Sequence, residues 1–172
     1  MELLLKKMKN GDKQSLETFV KGIEKRLYII AMARLMNESD AKDATQEALI
    51  KIYTKINQLH NMESIIPWAT KILINECNNI LKKRKNMEFS FEDFEMEKYL
   101  KDDEYIEIEN DYNFFELIEH LTIEERTILT MYYSEDYTTK EISEILKVNE
   151  NTIRTKIKRA KFKIKKKFEE EI

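Results

Sequence analysis

Two constellations in this chain have residue types and spacings that could do chemistry, and in both it is the chemistry of binding. In the first, Arg154, Lys158, Lys161 and Lys165 recur every three or four residues, with Thr155 and Arg159 near the edges of their row. Ile153, Ile157, Ala160 and Ile164 repeat with the same period, so a helix here would bury one face and present cations on the other. Cations on the N-terminal half of a helix oppose its dipole, so they do not serve the helix itself. Phosphate oxygens and the acceptor edge of guanine in a DNA groove would reward them. In the second, Asp40, Asp43 and Glu47 fall within about 60° of one another on a helical wheel. Ala41, Ala48, Leu49, Ile52 and Ile56 occupy a separate apolar arc. Three carboxylates in a row suit a basic protein partner, because arginine grips carboxylate through paired hydrogen bonds.

Each constellation has a bland reading, a solvated helix face. For the basic row the preceding residues argue against it. Tyr137 to Val148 supplies a short helix and a tight turn, the missing half of a helix-turn-helix. For the acidic row the solvated face remains the simpler reading of the residues alone. A metal site is not expected there, since no His or further acid lies at ligand spacing.

The elements that must position these residues are helical. Two Gly and one Pro leave few breaks, and Leu, Ile, Lys and Glu dominate the 172 residues, so the expected fold is all-α. Apolar periodicity runs from about Asp12 to Lys85, through Phe19, Ile23, Leu27, Ile30, Ala31 and Leu35, with Gly22 a candidate break. Asn37-Glu38-Ser39-Asp40 stops one helix and starts another, with Ser39 the expected N-cap of a helix reaching about Ile56. Asn57 to Ser64 reads as a polar loop, and Pro67 suits the first turn of a helix carrying Trp68, Ile72, Ile74, Ile80 and Leu81. Thr122-Ile-Glu-Glu125 and Thr138-Thr-Lys-Glu141 both match the capping box, in which a Thr hydroxyl and a Glu carboxylate satisfy free amides at a helix start. The expected organisation is therefore two small helical domains, residues 1–85 and 112–172, joined by an acidic linker, residues 86–111.

The net charge of −3 conceals a segregation. Residues 86–111 hold eleven acids against two lysines, and residues 147–168 hold ten bases against the single acid Glu150. The two blocks cancel, so a mildly acidic total says little about DNA binding. The linker also carries Phe89, Phe91, Phe94, Tyr99 and Tyr105, too many aromatics for a purely solvating spacer. One cysteine, Cys77, excludes an internal disulfide framework and fits a reducing compartment. The apolar run at the N-terminus is too short for a signal peptide, and no run approaches the roughly 20 residues of a membrane span, so a cytoplasmic protein is expected. His60 and His120 are far apart and lack a nucleophile or ligand partner, Cys77 reads as packing, and Met131-Tyr132-Tyr133 reads as interior. Nothing resembles a glycine-rich phosphate loop, a catalytic triad or a metal cluster, so neither enzyme nor cofactor is expected.

In their order along the chain these features resemble a bacterial extracytoplasmic-function (ECF) sigma factor of RNA polymerase. Asp40-Ala-Lys-Asp43-Ala-Thr-Gln46-Glu47 is similar to the family's D-A-E-D-x-x-Q-E signature, and Trp68 with Asn75 to its W-x-x-x-I-x-x-N stretch. Thr152-Ile-Arg-Thr-Lys-Ile-Lys-Arg-Ala160-Lys161 is similar to T-V-x-S-R-x-x-R-A-R. The likeness covers nearly the whole chain. It implies that Asp40, Asp43, Gln46 and Glu47 dock on the coiled coil of the polymerase largest subunit. It implies that the loop from Asn57 to Ile66, with His60 and Asn61, captures a flipped base of the minus-ten element. Trp68, Lys71, Asn75, Asn78, Asn79, Lys82 and Arg84 would then contact the melted strand. It implies that Thr139, Lys140, Asn151, Thr152, Arg154, Thr155, Lys156, Lys158 and Arg159 read the minus-thirty-five element, while the linker threads toward the RNA exit path. Core polymerase, promoter DNA and an anti-sigma protein, often membrane-bound, are the implied partners. Three positions depart from the family. Asn79 and Lys82 stand where Asp and Arg are common. Lys147 stands in the turn where Gly is usual, a place where left-handed backbone is costly for lysine. The alternative from the residues alone is a stand-alone helix-turn-helix regulator with an N-terminal dimerisation domain.

Overall fold

The computed structural model describes residues 2–59, 61, 64–88 and 111–170, and every regular element among them is helical. His60 and most of the acidic linker lie outside the described residues. The first unit holds α1 (Glu2–Lys9), α2 (Lys13–Leu35), α3 (Glu38–Lys55), a 3-10 turn (Ile56–Gln58) and α4 (Ile65–Glu88). The second holds α5 (Asp111–Ile118), α6 (Ile123–Leu129), a π-helical turn (Thr130–Ser134), α7 (Thr139–Leu146) and α8 (Glu150–Glu170). No helix among the described residues is long and apolar enough to cross a membrane.

Local chemistry explains most boundaries. The Asp12 carboxylate caps α2, accepting from the Ser15 hydroxyl at 2.7 Å. α2 then runs through Gly22 without a break. A side chain added there would meet nothing within 4 Å, so this glycine sits on an open face and its helix cost is absorbed by packing on the other side. The helix ends at Met36, which turns left-handed at φ 47° and donates its N–H to the Met32 carbonyl at 2.8 Å. The cap of α3 is Asn37, two residues before the expected Ser39. Its side chain accepts from the Asp40 amide at 2.9 Å. Both Asn and Ser cap well, so composition alone could not choose the register. Pro67 is the third residue of α4, inside the first turn, where its missing N–H leaves no helical bond unmade. α1 escapes apolar periodicity because it is so short. It is held by Met8, which is 2% exposed and packs into a small cluster with Leu16, Ile56, Leu59 and Ile65.

Both capping boxes form. Thr122 and Glu125 satisfy each other's amides at the start of α6, and Thr138 and Glu141 do so at the start of α7. Between α7 and α8 the turn is left-handed at Lys147, with φ 56° and its N–H on the Ser143 carbonyl. The turn geometry thus survives without glycine, at a strain cost. Lys147→Gly should therefore stabilise the chain by about 1 kcal/mol, the released strain exceeding the added unfolded-state freedom of glycine. A thermal melt should show a rise of roughly 2–4 °C.

The main core is one cluster that crosses between the two units. It joins Ile23, Leu27, Ile30, Ala48, Ile52 and Leu73 to Ile118, Ile128, Met131, Ile142 and Ile153. α2 packs against both α3 and α6, and α4 packs against both α3 and α7. Met131 is buried as expected, but Tyr132 and Tyr133 are exposed and meet edge to face at 4.9 Å. The π turn rotates them out of the helical register that would have placed them inside.

Candidate nucleic-acid interface and acidic docking face

α8 is built as a two-faced rod. Ile153, Ile157 and Ala160 are buried against α6 and α7, and Ile164 is half-buried. Asn151, Thr152, Arg154, Thr155, Lys158 and Arg159 are exposed. The cations are not equivalent. Arg154 donates to Glu150 at 2.7 Å, one turn back, and Glu150 also accepts from the Thr139 hydroxyl at 2.7 Å. The Thr139 bond, then the Arg154 bond, holds the Glu150 carboxyl below its usual range. Lys156 is half-buried and paired with Glu124 of α6 at 2.6 Å. Lys158 and Arg159 carry no ion pair among the described residues and point to solvent. Lys140 is exposed at the start of α7. Phe162, missed in the sequence, exposes its ring beside Lys158 and Arg159 at the rim of an open recess. A lone aromatic interrupting a lysine run was the available signal.

α8 is braced from below by Glu125, whose residue is 6% exposed and whose carboxylate accepts from Lys163 at 2.7 Å. Burial pushes this carboxyl up, but Lys163 and Thr122 outweigh it and the net shift is downward. The same glutamate closes the α6 capping box, so one side chain ties the start of α6 to α8.

On α4, Lys71, Asn75, Asn79 and Lys82 are all exposed and line up within about 80° of one another. The other expected strand contacts are placed differently. Trp68 is half-buried, its ring packed on both apolar clusters. Asn78 is half-buried and accepts from Arg34 at 2.7 Å. Arg84 lies on another side of the helix, where it pairs with Asp40 and donates to the Leu35 carbonyl at 3.3 Å. Asn61 is exposed at the loop.

The Arg84 pair also divides the acidic row. Asp40 turns toward α4, whereas Asp43, Gln46 and Glu47 remain exposed on α3. Wheel geometry could not show this, because it contains no neighbouring helix. Ile50 and Tyr53, 51% and 43% exposed, continue the same side of α3. A flat acidic row extended by two exposed apolar side chains is a face shaped for protein contact. Cys77 is fully buried, and desolvation pushes its thiol to about 12, so it stays protonated and unreactive.

Comparison with known proteins adds independent findings. Residues 8–87 match the Sigma-70 region 2 family, and residues 113–164 match Sigma-70, region 4. RNA polymerase sigma factor SigV of Bacillus subtilis is 30% identical over 155 residues, covering 90% of this chain and 91% of that protein. The ECF sigma factor SigW of the same organism is 23% identical over 182 residues, covering 96% and 97%. Among solved structures, the sigma factor RpoE with the anti-sigma factor NepR from Bartonella quintana superposes with a TM-score of 0.73 at 17% identity, covering 87% of this chain and 94% of that one. CnrH in complex with the cytosolic domain of CnrY gives 0.70 at 12% identity, covering 99% and 97%.

Proposed function

Because the chain belongs to the sigma-70 family of RNA polymerase sigma factors, in its extracytoplasmic-function branch, we propose a division of labour among its three exposed faces. Asp43, Gln46 and Glu47, extended by Ile50 and Tyr53, dock on a basic surface of core polymerase. Lys71, Asn75, Asn79 and Lys82 of α4 receive the melted minus-ten strand, together with His60 and Asn61. Lys158 and Arg159, with Arg154, Thr155, Asn151, Thr152, Thr139 and Lys140, enter the groove at the minus-thirty-five element. Asp40, Trp68, Asn78, Arg84 and Lys156 hold these faces in place, since each is spent on a contact inside the protein.

The observation that carries this reading is the opposition of the exposed charges. α3 presents the exposed carboxylates of Asp43 and Glu47 and α8 the exposed cations of Lys158 and Arg159, so one surface repels nucleic acid and the other seeks it. The chain is proposed to have no catalytic centre. Melting follows from binding, because captured unstacked bases offset the few kcal/mol that unpairing costs. We place the unit boundaries at residues 1–85 and 112–172, and the chain in the cytoplasm, with an anti-sigma protein as its regulator. The anti-sigma partners printed for the two structural neighbours support that last point for their own sigma factors.

Run-off transcription with purified core polymerase on genomic fragments tests the whole. Discrete transcripts that require the added chain are expected. A stable homodimer that binds duplex DNA and ignores polymerase would replace this reading with the stand-alone regulator.

A further inference from the structure

We propose that Phe162 is a specificity-determining residue, its ring packing on the methyl group of a thymine in the major groove at or beside the minus-thirty-five element. This rests on the reading that α8 enters that groove.

A single exposed apolar side chain is ordinary on a protein surface, so its direction has to decide what it does. Phe162 is 67% exposed, more than Tyr53, Tyr132 or Tyr133. The fold does not need its ring. Ala160 and Ile164 already seat this part of α8, and Phe162 belongs to neither apolar cluster. At about 100° per residue it lies half a turn from the buried Ile153. It falls within about 20° of Asn151 and Thr155 and about 40° of Lys158, all of them exposed. The ring therefore continues the face proposed for DNA, about 16 Å along the helix from Asn151. With base pairs stacked about 3.4 Å apart, it meets DNA no more than about five pairs from Asn151.

The surroundings suit nucleic acid. The ring shares the rim of an open recess with Lys158, Arg159, Lys163 and Glu125. Glu125, the acid in that set, is buried, and Lys163 donates to both its oxygens at 2.7 and 2.8 Å. Its charge is answered within the protein and does not repel phosphate. Within four residues of Phe162 on either side stand Lys158, Arg159, Lys161, Lys163, Lys165 and Lys166, and no acid. A polyanion is the partner these neighbours select.

What the ring can recognise follows from its chemistry. A phenyl group has neither donor nor acceptor, so it cannot read the hydrogen-bonding edge of a base. The apolar group that a base pair presents in the major groove is the thymine methyl, and phenylalanine is among the side chains that pack on it. The cations one turn earlier hold the helix to the groove, and the ring adds a preference for one base.

Holoenzyme binding to promoter fragments is the test. Each base pair of the element, and of about five pairs to either side, is set in turn to T·A or to U·A, which lacks only the methyl. At one position the wild type should prefer T·A about fourfold, the worth of a buried methyl. Phe162→Ala should erase that preference and no other. Helix content and the slope of affinity against salt should stay unchanged, because no charge is lost. Phe162→Leu, still apolar, should keep part of the preference. Absence of any methyl preference, or one that survives Phe162→Ala at every position, overturns the proposal. So does a loss confined to affinity for core polymerase, which would assign the ring to a protein contact. Arg159→Ala separates this proposal from the reading beneath it. If that variant keeps full base discrimination, the groove reading fails. If it relaxes discrimination while Phe162→Ala alters no methyl preference, the groove reading stands and the role of Phe162 falls.

Discussion

Reversing the charge of Asp43 and Glu47 together should remove binding to core polymerase, with a loss of a hundredfold or more. Both side chains are exposed and neither has an internal partner among the described residues, so the substitution leaves α3 and its buried arc of Ala41, Ala44, Ala48 and Ile52 intact. Two carboxylates that meet arginine or lysine on a partner become two cations that repel it. Losing one closely paired charge at an interface costs about 2–5 kcal/mol, and inverting two costs at least as much. Titration of labelled core polymerase reads the affinity, and circular dichroism confirms the helix content. Unchanged affinity would refute the docking face. Asp40→Lys serves as the contrast. It breaks the Arg84 pair that ties α3 to α4, so it should lower thermal stability as well as binding.

Arg159→Ala should cut discrimination at the minus-thirty-five element by about 1–3 kcal/mol, the value of one good base contact. Arg159 is exposed and carries no ion pair among the described residues, so nothing competes with DNA for it. Arg154→Ala should cost less, because Arg154 must first release Glu150, whose carboxylate is itself held by Thr139. Filter binding of the holoenzyme to matched and single-base-altered promoters separates base reading from phosphate contact. A base contact relaxes preference at one position. A phosphate contact weakens every sequence alike and lowers the salt dependence.

Much of the architecture is legible along the chain, and the reason is range. A capping box is complete within four residues, so Thr122–Glu125 and Thr138–Glu141 form as their spacing expects. The faces of α8 depend only on helical period, and Ile153, Ile157 and Ala160 are buried where that period puts them. The misreadings also share a cause. Asn37 rather than Ser39 caps α3 because two good capping residues stand two apart. Tyr132 and Tyr133 face outward because one π turn shifts the register.

By itself, the order of residues determined the helical class, the helix starts, the apolar stripes and the separation of acidic from basic blocks. Each of these is a property of neighbours along the chain. Only the tertiary structure decided which charges remain available. Arg84 takes Asp40, Glu124 takes Lys156, and Arg34 takes Asn78, across gaps of dozens of residues. It alone also joined the two units through Arg26, Arg126 and Tyr137. Such pairings arise because packing brings distant side chains within a few ångströms, and no periodicity along the chain records which partner each will meet.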